Sequence, residues 1–354
     1  MNTEAGERFS SVSPDGKIMF FMRDFGKRNG DSYRVYYWID AGFINELKPI
    51  ELIIGVLMKQ KFIFIGSAIL LVLIFSNCTR QSGFPKLKGP YLGQKPPGMT
   101  PEVFAPGLVS TKDHQEFSCT FSPDGKEFYF NRGMTIMVCR KEKNGWTNPE
   151  PVKFTEGYRS HEPHIPMDNK RLYYGSMREQ PPGYPVEEYQ YGIWMTERTE
   201  QGWGTPRYVG YGMYVTTTRD GTIYLTDISD SPEEIIARTS LMDGQFTDLI
   251  RQKGGVITPA PDRISGRHPG IAPDESFILF DAYKKETKND GKLFICFRVG
   301  EDTWGEAIDL GEVIGYEKSM VPYISPDGRY LFFTANSDIY WVDAKIIEML
   351  RPII

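Results

Sequence analysis

The sequence predicts an all-β chain: a five-bladed β-propeller of four-stranded blades, closed by an N-terminal strand. Three observations carry that prediction. Aromatic residues are 14% of the chain, with 20 Tyr and 22 Phe, a bias that favours strands over helices. A strand–turn–aromatic strand unit recurs, its turn marked by Asp124, Asp168, Asp220, Asp274 and Asp327 at intervals of about 50 residues. The last unit stops after its third strand, at Val342-Asp343, and so lacks an outer strand. Composition narrows the function classes. With 40% hydrophobic and 25% charged residues the chain can bury a core. Lys and Arg number 41 against 46 Asp and Glu, which argues against a nucleic-acid binder needing a basic face. The four Cys form no disulfide framework or zinc-ligand spacing.

Residues 1–57 read as a remnant of a paralogue's terminal blade plus a linker. Ser13-Pro14-Asp15-Gly16 and Phe20-Phe21 match Ser325-Pro326-Asp327-Gly328 and Phe332-Phe333. Tyr37-Trp38-Ile39-Asp40-Ala41 matches Tyr340-Trp341-Val342-Asp343-Ala344, and Ile44, Leu47, Pro49 and Ile50 match Ile347, Leu350, Pro352 and Ile353 without a gap. The functional start is then Met58, and a six-bladed ring is the alternative if this segment inserts. Residues 58–78 have the parts of a secretory signal: Lys59 and Lys61, the apolar run 62–75, and a short tail ending at Cys78. The run is shorter than the ~20 residues that span a bilayer. Phe75-Ser76-Asn77-Cys78 resembles a bacterial lipoprotein lipobox, departing from it at Phe75 and Asn77, which implies lipidation at Cys78. Residues 79–100, with Pro, Gly and Lys but no periodicity, read as a tether.

Residues 101–354 are the expected propeller. The segment 101–109 resembles the fourth strands of the units and precedes the first, so it is expected to complete blade five. Blade one has Phe121-Ser122-Pro123-Asp124-Gly125, Phe128-Tyr129-Phe130 and Gly145-Trp146. Blades two to four carry weaker versions, with Gly202-Trp203 in blade two and Thr303-Trp304 in blade four. The three Trp read as packing residues. Asp-Gly supplies the positive φ of a tight hairpin. Aromatic and β-branched runs suit sheets covered on both faces, which each blade obtains only by radial stacking. These repeats resemble the WD40-like family with Ser-Pro-Asp-Gly turns, as in TolB-type periplasmic propellers. The resemblance implies the fold and a bacterial cell-envelope address, lipid-anchored and facing the periplasm or the surface; it implies no one reaction.

All four His lie in or just before innermost strands. Aligning the blades places Phe117, His161, Met213, Arg267 and Met320 at one inner position, and Ser118, Glu162, Tyr214, His268 and Val321 at the next. Inner strands line the channel, so Arg159, His161, Glu162, Arg267 and His268, with Glu116 and Lys318, are expected at one channel mouth as a ligand-binding site. His161 and His164 are three apart and face opposite ways on a strand, which argues against their sharing a metal. No catalytic residue, metal or cofactor is assigned. The expected function is a non-catalytic binding or scaffolding propeller recognising an envelope protein or glycan; the alternative is an enzyme acting on a saccharide or peptide at the mouth.

Overall fold

A computed structural model describes three strands within residues 7–40, and residues 89–352 apart from 183–190, 230–233, 258, 265 and 285–289. The chain divides into two compact units, residues 1–82 and 83–354. In the first, Glu7–Val12, Ile18–Arg28 and Asp31–Asp40 form an antiparallel meander. Its register pairs Phe20 with Trp38 and Phe21 with Tyr37. The terminal propeller blade pairs Phe332 with Trp341 and Phe333 with Tyr340, the same register for the matching residues. Residues 58–78, where a signal segment and lipobox are expected, Cys78 included, lie outside the described residues. No helix among the described residues is long and apolar enough to cross a membrane.

The second unit is a ring of five sheets, antiparallel except for one added strand in blade four. The innermost strands are Glu116–Phe121, Ser160–His164, Met213–Thr217, Arg267–Ile271 and Met320–Ile324. Each neighbours the next, and the fifth returns to the first. Each is followed by a second strand (Glu127–Arg132, Arg171–Ser176, Ile223–Asp227, Phe277–Ala282, Tyr330–Ala335) and a third. The hairpin between first and second strands is built the same way five times. The carboxylates of Asp124, Asp168, Asp220, Asp274 and Asp327 accept from the backbone N–H two residues on. The residue between them has positive φ in every blade: Gly125, Asn169, Gly221, Glu275 and Gly328. This is an Asx turn capped by a left-handed residue, and it explains why Asp outlasts the rest of the motif in the weaker repeats.

Closure follows the predicted route in a shorter form. Glu102–Val103 pairs with the third strand of blade five, Val103 against Tyr340 and Glu102 against Trp341. Phe104 adds one bond from its N–H to the Ile339 carbonyl at 2.8 Å. Pairing ends there because Ala105 and Gly107 turn through positive φ and Pro106 has no N–H to offer. Upstream, Leu92 is fully buried and Tyr91 hydrogen-bonds Asp327, so the chain before the closing strand is itself part of the seam between blades five and one.

Candidate binding site at the channel mouth

The inner strands are not regular. Each carries a register shift just after its start: Phe117/Cys119, His161/His164, Met213/Thr216, Arg267/Gly270 and Met320/Tyr323. At each shift one non-glycine residue has positive φ: Ser118, Glu162, Tyr214, His268 and Val321. For a β-branched residue such as Val321 this is a rare conformation. Each such residue costs of order 1–3 kcal/mol and persists only where its surroundings over-determine it. The surroundings here are the preceding blade. Asn131 accepts from Glu162 N–H at 2.7 Å, Thr226 from His268 N–H at 2.9 Å, Asp281 from Val321 N–H at 2.9 Å, and Thr334 from Ser118 N–H at 3.3 Å. One second-strand side chain thus stitches each of blades one, three, four and five to its successor.

The bulge sorts the inner-strand residues into two rings. Phe117, His161, Met213, Arg267 and Met320 are all partly buried and rim the mouth, while Ser118, Glu162, Tyr214, His268 and Val321 are all buried beneath them. Blade two departs from the stitch. Gly175 stands where the other blades have Asn131, Thr226, Asp281 and Thr334. The space is taken by the Tyr191 hydroxyl, 1.9 Å from where a Gly175 Cβ would sit. Tyr191 stacks on His161 and donates to Glu162 at 3.4 Å. Gly175→Ala is therefore expected to expel Tyr191 and cost about 1–3 kcal/mol of overpacking, read in chemical denaturation. An unchanged midpoint would show that Tyr191 is dispensable there.

Between blades two and four the ionisable groups converge. Asp281 Oδ1 meets His268 Nδ1 at 2.7 Å, and His268 Nε2 faces Glu162 Oε1 at 3.6 Å. His161 Nδ1 lies 3.4 Å from Glu162 Oε2. Arg267 donates to Glu234 at 2.5 Å, stacks over Tyr283 at 3.7 Å, and turns Nε toward Asp281 Oδ2 at 3.6 Å. Burial alone disfavours the His268 imidazolium, but Asp281 and then Glu162 outweigh it and raise its pKa. Burial likewise opposes the Glu162 carboxylate, yet His161, His268 and Arg267 bring its pKa down to about 2. The result is a chain of polar contacts across the ring, running from Asp281 through His268 to Glu162 and His161.

The predicted site residues divide accordingly. His161, Glu162, Arg267 and His268 come together. Arg159 and Lys318 lie exposed at the starts of their strands. Glu116 is fully buried in a separate pairing with Arg132 at 2.8 Å and with the Thr111 hydroxyl and N–H, where it organises the loop after the closing strand. His164 points away, 2.9 Å from the Thr217 hydroxyl, with burial holding its pKa down at about 3. Asp281, Tyr191 and Glu234 were missed in the sequence. Asp281 had a signal: it ends an apolar second strand at the position of Asn131, Thr226 and Thr334. Among the described residues no group of three His, Cys, Asp or Glu is placed to hold a metal ion.

No family model matches the sequence, and no curated protein does. Solved structures with similar folds include TolB from Acinetobacter baumannii, 12% identical with a TM-score of 0.41 over 66% of this chain and 55% of TolB. A gluconolactonase from Xanthomonas campestris is 11% identical with a TM-score of 0.38 over 73% of this chain and 98% of its own. Prolyl oligopeptidase B from Galerina marginata is 12% identical with a TM-score of 0.39 over 96% of this chain and 40% of its own. The chain thus spans about half of the TolB and well under half of the oligopeptidase. Its blade count rests on its own strand pairing, and its function must be argued from its own side chains.

Proposed function

We propose that this chain is a non-catalytic binding propeller of the bacterial cell envelope, held there by lipid at Cys78, that recognises an envelope protein or glycan at its channel mouth. The observation that carries the reading is that the ends of three long loops meet the charged inner-strand residues of the same three blades. The connections from second to third strand open onto the mouth. In blades one and five they are the two-residue turns Gly133-Met134 and Asn336-Ser337. In blades two, three and four they run over residues 177–191, 228–234 and 283–291. Those three blades also supply His161, Glu162, Tyr214, Arg267, His268 and Asp281. The described ends of those loops place Tyr191 against His161 and Glu162, and Glu234 and Tyr283 against Arg267; loop side chains held on a rigid scaffold commonly carry recognition. Tyr158 and Met177, both large and exposed, extend it on blade two beside Arg159.

Binding is favoured over catalysis because the buried acids and bases are already paired. A general acid or base works best with a pKa near the operating pH; Glu162, at about 2, is far below it. The enzyme reading draws on the convergence of His161, Glu162 and His268 within 3.4–3.6 Å. A thermal-shift screen of the full chain against envelope sugars, uronates and peptides separates the two. A ligand at roughly 100 times its Kd should add about 2.7 kcal/mol of stability. The shift is expected in the wild type and lost in His161→Ala, provided the variant's own unfolding midpoint without ligand shows that it remains folded. A shift that survives in His161→Ala places the ligand elsewhere, and turnover of a panel member makes the protein an enzyme.

A further inference from the structure

On the face opposite the mouth, the turn from third strand into the outer strands carries an aromatic residue: Trp146, Trp203, Phe246 and Trp304 in blades one to four. Trp146 and Trp304 are 5% and 2% exposed, whereas Trp203 is partly exposed. The difference is in what lies beside them. Trp146 donates its indole N–H to the Gly89 carbonyl at 2.9 Å, so the segment before the closing strand sits against it. Beside Trp304, the chain leaving blade three adds an extra parallel strand, Lys253–Gly254 against Thr303–Trp304. Lys253 N–H donates to the Asp302 carbonyl at 2.8 Å and Gly255 N–H to the Trp304 carbonyl at 3.2 Å.

The chain leaving blade one begins the same way. Val152 N–H donates to Ile136 O as Gln252 N–H donates to Ile236 O. Then the paths part for a steric reason. A Cβ on Gly254 would lie 1.9 Å from the Trp304 carbonyl oxygen, and one on Gly255 would lie 2.3 Å from that of Gly305. Blade one has Lys153-Phe154-Thr155 where blade three has Lys253-Gly254-Gly255. Phe154 and Thr155 cannot approach so closely, and Lys153–Thr155 coils into a 3-10 turn instead. Gly202–Trp203 is left as the edge of its sheet. Beside it opens a groove of about 1060 Å³ lined by Val152, Phe154, Trp203, Pro206, Arg140 and Glu150; Phe154 packs edge-on against the Trp203 indole at 6.3 Å, and the indole N–H donates to the Tyr129 hydroxyl at 2.8 Å.

We infer that this groove takes an extended, glycine-containing peptide segment of a partner protein, which pairs in parallel with Gly202–Trp203. The occupant is specified by the blade that already has one. Backbone bonding to Gln201 and Trp203 replaces the bonding seen at Asp302 and Trp304, and adjacent glycines permit the close approach to the backbone carbonyls that Gly254 and Gly255 make in blade four. Strand addition to an open sheet edge is a general mode of peptide capture. The surface is separate from the channel mouth, and the inference stands whether or not the mouth binds a ligand.

The test uses a fluorescent peptide, Gln-Lys-Gly-Gly-Val, the sequence of residues 252–256, titrated with the full chain and read by anisotropy. Saturable binding is expected, at least about tenfold weaker for Gln-Lys-Val-Val-Val and for the Trp203→Ala variant, as loss of a close-packed aromatic anchor predicts. The double variant F154G/T155G recreates the Lys-Gly-Gly of blade three and should close the groove with the chain's own segment, abolishing binding. The Val-Val peptide, tested on unaltered protein, gives the answer even where a variant fails to fold. Equal affinity for the two peptides overturns the inference, as does no binding up to about 1 mM, the weak end of specific affinities. Displacement of a bound peptide by an envelope oligosaccharide, with equal loss in Trp203→Ala, would make the groove a glycan site and overturn it too.

Discussion

Asp281→Ala is expected to cost about 3–5 kcal/mol, among the largest effects of any polar substitution in the protein, because it strips a buried charge from two cations at once. Asp281 is fully buried. It holds the His268 imidazole at 2.7 Å, accepts from Val321 N–H in the next blade, and faces Arg267. Asp281→Asn keeps an acceptor for Val321 and should lose less. Guanidinium unfolding of the full chain, followed by tryptophan fluorescence, measures both. A loss below about 1 kcal/mol, the scale of an ordinary single hydrogen bond, would mean that the charges across the ring are not coupled.

The same network sets a pH dependence. Glu162 has its folded pKa lowered to about 2 from 4.5, so its contribution is present above about 4.5 and is lost as pH falls toward 2. His268 has its folded pKa raised from 6.5, so its contribution is full below about 6.5 and is lost as pH rises through the folded value. Stability from this cluster should therefore peak between those limits. In Asp281→Ala the alkaline fall should flatten, since Asp281 is the foremost cause of the raised His268 value.

Phe104→Ala is the second large expected effect, about 3–5 kcal/mol from lost burial and the cavity left behind. Phe104 is fully buried where blade five meets blade one. Its ring lies 5.0 Å from Phe128, 5.1 Å from Trp341, 5.2 Å from Phe332 and 6.1 Å from Phe121. These neighbours come from both blades, so no single blade can collapse to refill the space. A measured loss near 1 kcal/mol would show that the ring closes without this residue and that the two-residue strand carries the seam alone.

What could be read from the sequence was what is decided locally. An Asp followed by a residue able to take positive φ makes its turn from a few neighbours, so five such turns were visible even where the rest of the motif had decayed. The aromatic second strands were legible for the same reason, and so was the missing outer strand of blade five. The alignment of Phe117, His161, Met213, Arg267 and Met320 likewise held as a single ring, because the bulge recurs at one position in every blade. Tertiary structure decided which charges meet. Asp281 comes from a second strand, Tyr191 from the end of a loop into the space Gly175 leaves, and Glu234 from blade three onto Arg267 of blade four. It also separated Glu116 from this cluster, and Trp203 from Trp146 and Trp304, by which segment the neighbouring chain could lay against each. Such pairings depend on ring closure and on the left-handed residues that aim side chains across the channel. No window of the sequence contains either.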